Sequence, residues 1–183
     1  MVRRALAILL LAIPGLASAG EPAALRSSPD LGKAEGQCRP GETGPALIVT
    51  ATGLKERRGV LRAELYPAND GDFLADDNVL LMAGKTFRRV EVAVPMSGPA
   101  QVCIRVPAPG IYTLSVLHDR DANRKFGLTR DGIAFPGDPK LGFSKPKAAA
   151  ARLVAGAGLT NIVVRMNYMR GLSGFGPIKD RDG

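Results

Sequence analysis

Apolar and polar residues alternate with period two through much of residues 46–168, the spacing of strands that bury one face and leave the other in water. ALIVTATG (46–53) and GVLRAELY (59–66) flank the charged segment from Leu54 to Arg58, which predicts a hairpin with Leu61, Ala63 and Leu65 turned inward. In KTFRRVEVAV (85–94), Val90, Val92 and Val94 share one face while Arg89 and Glu91 share the other, predicted wet, face. AQVCIRV (100–106) sets Val102, Ile104 and Val106 against Gln101, Cys103 and Arg105. IYTLSVLH (111–118) aligns Tyr112, Leu114, Val116 and His118, and NIVVRMNY (161–168) aligns Ile162, Val164, Met166 and Tyr168. AAAARLVA (148–155) has helix propensity but precedes Gly156 and Gly158, and it is read as a strand or a short turn of helix, with the strand favoured.

Between these runs lie turn-rich segments. PANDGDFLADDN (67–78) carries Pro, Asn, Asp and Gly breakers, with Phe73 and Leu74 as its inward anchor and Asp76 and Asp77 as solvated charge. About seven short strands with almost no helical periodicity predict an all-β fold, an antiparallel β-sandwich of immunoglobulin-like or transthyretin-like type.

The N-terminus breaks the pattern. Arg3 and Arg4 precede an apolar run from Ala5 to Ile13, and Ala17-Ser18-Ala19 forms a small-residue cleavage site. Residues 1–19 are therefore read as a secretory signal peptide, too short and too interrupted at Pro14-Gly15 to span a membrane. The division that follows is an extended lead-in at 20–45, a sandwich domain at 46–168 and a flexible tail at 169–183. An exported protein in the periplasm or outside the cell is expected, and Cys38 and Cys103, the only cysteines, are expected to pair there. Closing that loop of about 66 residues stabilises a fold by about 4 kcal/mol in the chain-entropy model. Because Cys103 falls on the polar side of its strand, the bridge should strap the lead-in across a sheet's outer face.

Charge adds little. The formal net charge of +8 falls to +6 once Arg3 and Arg4 leave, and the basic residues are scattered. With six Phe, three Tyr and no Trp, stacking platforms for nucleic acid are too sparse to support that class of partner.

Candidate chemistry gathers after the strand that ends at His118. Asp119, Asp121 and Asn123 follow a D-x-D-x-N alternation, which lets a curled loop aim three oxygens at a hard cation such as calcium. An EF-hand-like loop calls for Gly at the sixth position and Glu at the twelfth, where this chain has Arg124 and Arg130. Four cations (Arg120, Arg124, Lys125 and Arg130) oppose an added ion. The competing reading has the Asp and Asn side chains bonding their own backbone in Asx-turns. His118 is the only histidine, which excludes multi-histidine zinc sites. A triad would have to use this ring with Ser115 or Ser144 and Asp119 or Asp138, and no G-x-S-x-G elbow supports it.

The run PAPGIYTLSVLHDRDANRKFGLTRDGIAFPGDPKLGFS resembles the hallmark of domain-of-unknown-function family 2141, a family of exported bacterial proteins. Gly110 and Tyr112 match its Pro-x-Gly-x-Tyr strand, although Pro109 directly abuts the glycine. His118, Asp119, Asp121, Asn123 and Lys125 match its His-Asp loop, Gly132, Ile133 and Pro136 its Gly-Ile-Pro segment, and Gly142, Phe143 and Ser144 its closing motif. Arg124, the inserted Ala134-Phe135, Asp138 and Lys145 depart from it. The resemblance spans roughly residues 46–168 and implies an exported β-sandwich with no assigned activity. The expected role is a non-enzymatic module that binds an unidentified envelope or extracellular ligand through loop 118–144, with His118, Asp119, Asp121, Asn123, Phe143 and Ser144 at the site and no required cofactor beyond a possible calcium. A purely structural envelope protein and a hydrolase using His118 are the alternatives.

Overall fold

The computed structural model describes residues 24–178, so the segment 1–19 read as a signal peptide and the last residues of the expected tail lie outside the described residues. The strands are β1 (Ala46–Thr52), β2 (Val60–Pro67), β3 (Arg88–Ala93), β4 (Ala100–Arg105), β5 (Gly110–Asp119), β6 (Gly132–Ala134), β7 (Arg152–Ala155), β8 (Leu159–Arg165), β9 (Asn167–Met169) and β10 (Phe175–Pro177). Two short helices, α1 (Lys33–Gly36) and α2 (Asp77–Met82), and two single 3-10 turns complete the order.

The all-β reading holds. The strands form a three-stranded sheet in the order β4-β1-β8 and a seven-stranded sheet in the order β10-β9-β6-β5-β2-β3. β5 is the axis of the larger sheet: β2 covers one edge, and the other is shared by β7 at Gly110–Thr113 and β6 at Val116–His118. All named pairings are antiparallel except β1 with β8. Leu47 and Val49 of the small sheet and Leu61, Leu65, Leu114 and Val116 of the large one are fully buried in a common core. That places the predicted inward faces where the alternation puts them.

The hairpin does not form. β1 and β2 lie in different sheets, and residues 53–59 carry the chain from one to the other. Alternation specifies which face of a strand is apolar, and it reads the same whether two strands pair edge to edge or stack face to face. Gly59 completes the crossing with a positive φ of 76°, and a side chain there would collide with the backbone of Asp119 and Arg120. The segment 161–168 is likewise two strands, β8 and β9, which change sheets at the buried Met166. Residues 148–155 combine both readings, a 3-10 turn at Ala148–Ala151 followed by β7.

The predicted tail also differs. β10 folds back on β9, with Phe175 opposite Met169, and the nearly buried Phe175 ties the segment to the body of the protein. The lead-in carries α1, bonds β3 through the amide of Arg89 to the carbonyl of Gly32, and reaches β4 through the bridge of Gln37 with Ile104. Cys38 and Cys103 form the expected disulfide, with Cα atoms 5.8 Å apart. The strap thereby covers strand edges that would otherwise be free to pair with another chain.

Candidate functional site

The outer face of the large sheet was expected to be wet, and it is not. Tyr66, Phe73, Leu80, Phe87, Phe135 and Phe175 form a second apolar cluster there, roofed by α2, the segment before it and the turn at 148–151. The roof is incomplete. It leaves an open cleft of about 520 Å³, within the range of small-molecule sites, between the sheet and the segments 124–128 and 141–146.

The cleft has a polar floor. Arg62, Glu64, Arg89 and Ser115 project from β2, β3 and β5 among the lining residues. Glu64 accepts from Arg89 Nε at 2.7 Å through one oxygen and from the Tyr66 hydroxyl at 2.6 Å through the other. Arg89 also donates through Nη1 to Asp77 at 3.2 Å and to the carbonyl of Ser28 at 2.9 Å. Burial works to lower the pKa of Arg89, but the carboxylates of Glu64 and Asp77 outweigh it and hold the guanidinium above its ordinary value. Burial, reinforced by Glu64, pushes the Tyr66 hydroxyl well above the usual phenol range. Asp77, read from the sequence as solvated, is 4% exposed because it is the second carboxylate on Arg89.

The walls and mouth set large apolar side chains beside the charged Asp76, Arg124 and Lys145. Phe126, Leu128 and Phe143 line the cleft and are 42%, 59% and 71% exposed, a cluster of large side chains presented to solvent on the loop. Phe126 lies against Phe175, with ring centroids 5.8 Å apart. A rigid sheet below and an apolar loop above make a site able to hold a small molecule with both polar and hydrocarbon parts.

This architecture has a family. Residues 49–163, more than half of the chain, match the model of a family described as an uncharacterized protein conserved in bacteria (DUF2141). The chain belongs to this family. No curated protein and no solved structure matches it. The DUF2141 segment contains the floor of the cleft and the whole 118–144 loop, whereas Cys38, Tyr168 and Phe175 lie outside it.

The six residues singled out from the sequence fall into three places. Phe143 and Ser144 line the cleft. His118 instead is fully buried on the inner face of β5, with Nε2 donating to the carbonyl of Arg58 at 2.8 Å and Nδ1 accepting from the Tyr168 hydroxyl at 2.7 Å. Burial lowers its pKa, and burial raises that of Tyr168 to about 12. Gly132 is required beside this pair, since any Cβ there would strike the Tyr168 ring. Ser115 lies on the opposite face of β5, lining the cleft, so no Ser-His pair forms between them.

The third group stabilises the loop. Asp119 accepts the amides of Asn123 at 3.2 Å and Arg124 at 2.7 Å, and Asn123 Oδ1 accepts that of Lys125 at 2.7 Å. Asp131 accepts the amides of Arg120 at 3.0 Å and Gly127 at 2.7 Å. Asp121 is paired with the Arg130 guanidinium, which holds its carboxyl below the ordinary value, while burial pushes that of Asp119 up against the opposing pull of its two amide donors. The carboxylates gathered together are thus Asp119, Asp121 and Asp131, whose oxygens lie within 4.8 Å of one another; Asn123 is spent on the backbone. These are the Asx-type bonds of the competing reading, with Arg130 supplying positive charge at the place a cation would.

Sequence reasoning missed Arg62, Glu64, Asp77 and Arg89. A signal was present in the alternation of opposite charges, since Glu64 faces Arg89 and Arg62 faces Glu91 across β2 and β3.

Proposed function

We propose that the protein is an exported binding module whose ligand occupies the cleft between the outer face of the large sheet and loop 118–144. The cleft's lining carries the reading: charged groups fixed at the floor lie beneath exposed Phe126, Leu128 and Phe143. Large apolar side chains exposed along a cleft beside fixed polar groups mark a binding site more often than a solvated face. Export is supported by the basic and apolar N-terminal run and by the Cys38–Cys103 disulfide, a bond that persists in oxidising compartments. Among the described residues no helix is long and apolar enough to cross a membrane. The loop acts through the shape its Asp and Asn side chains impose, and calcium is not needed to explain that shape.

Nile red, a neutral dye that brightens in apolar surroundings, tests the reading. The folded protein should enhance its emission, and a Phe126→Ser/Phe143→Ser variant with an unchanged unfolding midpoint should not. Emission that is never enhanced, or that is equal in the two proteins, would defeat the cleft assignment and favour a purely structural role.

A further inference from the structure

Arg62 identifies the kind of ligand this cleft selects. Its side chain is only 13% exposed, and its guanidinium is held from one side by Nη1 donating to the carbonyl of Arg124 at 2.9 Å. The other fork, Nε with Nη2, has no hydrogen-bond acceptor among the described residues. Nε is buried, and the nearest carboxylate oxygen, Glu64 Oε1 at 3.4 Å, lies outside hydrogen-bonding geometry and already accepts from Arg89. A buried charged donor without a hydrogen-bond acceptor is costly and uncommon in folded proteins, so Arg62, which lines the cleft and is only loosely ion-paired with Glu64, calls for an acceptor from outside. Arg124, whose carbonyl anchors Arg62, lines the same cleft, and Phe126 and Leu128 follow it on the loop.

Resting on the cleft's assignment as a binding site, we propose that the ligand is an amphipathic monocarboxylate such as a medium-chain fatty acid. Its carboxylate accepts two parallel hydrogen bonds from Nε and Nη2 of Arg62, the bidentate geometry for which a planar guanidinium is suited and an ammonium is not. Its hydrocarbon body lies on Phe126, Leu128 and Phe143 and buries them. A single negative charge fits better than a doubly charged phosphate because the lining sets four cations, Arg62, Arg89, Arg124 and Lys145, against three carboxylates, Glu64, Asp76 and Asp77, a surplus that one anionic charge neutralises.

Calorimetric titration with decanoate, 1-decanol and decyl phosphate decides the matter. Decanoate should bind at least about tenfold more tightly than 1-decanol, equivalent to about 1.4 kcal/mol. That preference should vanish in Arg62→Met and shrink in Arg62→Lys, which keeps the charge without the fork. Equal affinity for decanoate and 1-decanol, or tighter binding of decyl phosphate, would overturn the proposal while leaving the cleft as a binding site. Binding of neither decanoate nor 1-decanol would overturn it as well, and Nile red then shows whether the cleft reading falls too. The unfolding midpoint of each variant is recorded alongside, and the unsubstituted protein's own preference is decisive should a variant fail to fold.

Discussion

The two faces of the seven-stranded sheet are made by the same strands and do different work. On the inner face, Leu61, Leu65, Leu114 and Val116 meet Leu47 and Val49 of the other sheet in a dry core. On the outer face, Arg62, Glu64 and Ser115 alternate with those residues along the same strands, and they meet loops rather than a sheet. A sheet covers its partner continuously, whereas loops cover it where their own apolar anchors reach and leave room elsewhere. The contrast assigns stability to the inner face and, on the function proposed above, recognition to the outer one.

The contrast is sharpest at Leu114. Leu114→Ala should cost about 2–5 kcal/mol in urea unfolding, the range for deleting a fully buried leucine, and a cost below about 1 kcal/mol would deny the inner face its role. Arg89→Met should cost about 3 kcal/mol, because Glu64 and Asp77 would stay buried without their shared cation. If that variant unfolds at the same urea concentration as the parent, the floor is less desolvated than its hydrogen bonds imply.

His118 ties the inner face to pH. Its folded-state pKa lies below its unfolded value of about 6.5 because burial disfavours the charged ring and outweighs the opposing pull of the Arg58 carbonyl on Nε2–H. The unfolded chain therefore takes up a proton first: this contribution to stability is full above the unfolded value and is lost as pH falls below it toward the folded value. Urea midpoints measured from about pH 7.5 down to about pH 5 should fall, and fall less in His118→Gln; identical slopes would place the acid sensitivity elsewhere. Phe143→Ser, at a site 71% exposed, should change stability by no more than about 0.5 kcal/mol while reducing Nile red emission. The smallest effect is expected from calcium. Excess calcium and excess chelator should give the same unfolding midpoint, since the amides and Arg130 already satisfy Asp119, Asp121 and Asp131. A calcium-dependent rise that Asp119→Ala/Asp121→Ala abolishes would show that the loop holds a cation.

What the sequence revealed follows the same division. Period-two alternation identified Leu61, Leu114 and Val164 as core because a dry face demands unbroken apolar residues. It could not reveal that 46–53 and 59–66 lie in different sheets, or that 161–168 turns a corner at Met166, because face and neighbour are independent properties of a strand. Phe143 and Ser144 were legible through the family's closing motif. Arg62, Glu64 and Arg89 were not, since charged residues on alternate positions look the same under water as under a loop, and the distant Phe126 and Phe175 decide which applies. His118 was visible as the only histidine, yet its burial depends on Tyr168, fifty residues on.

Amide chemical-shift mapping of the isotopically labelled protein titrated with decanoate tests the division of the two faces most directly. The account predicts shifts at Arg62 and Glu64 on β2, Ser115 on β5 and loop residues 124–128 and 141–145, with β1, β4 and β8 unmoved. Shifts confined to the three-stranded sheet, or none at saturating decanoate, would contradict it.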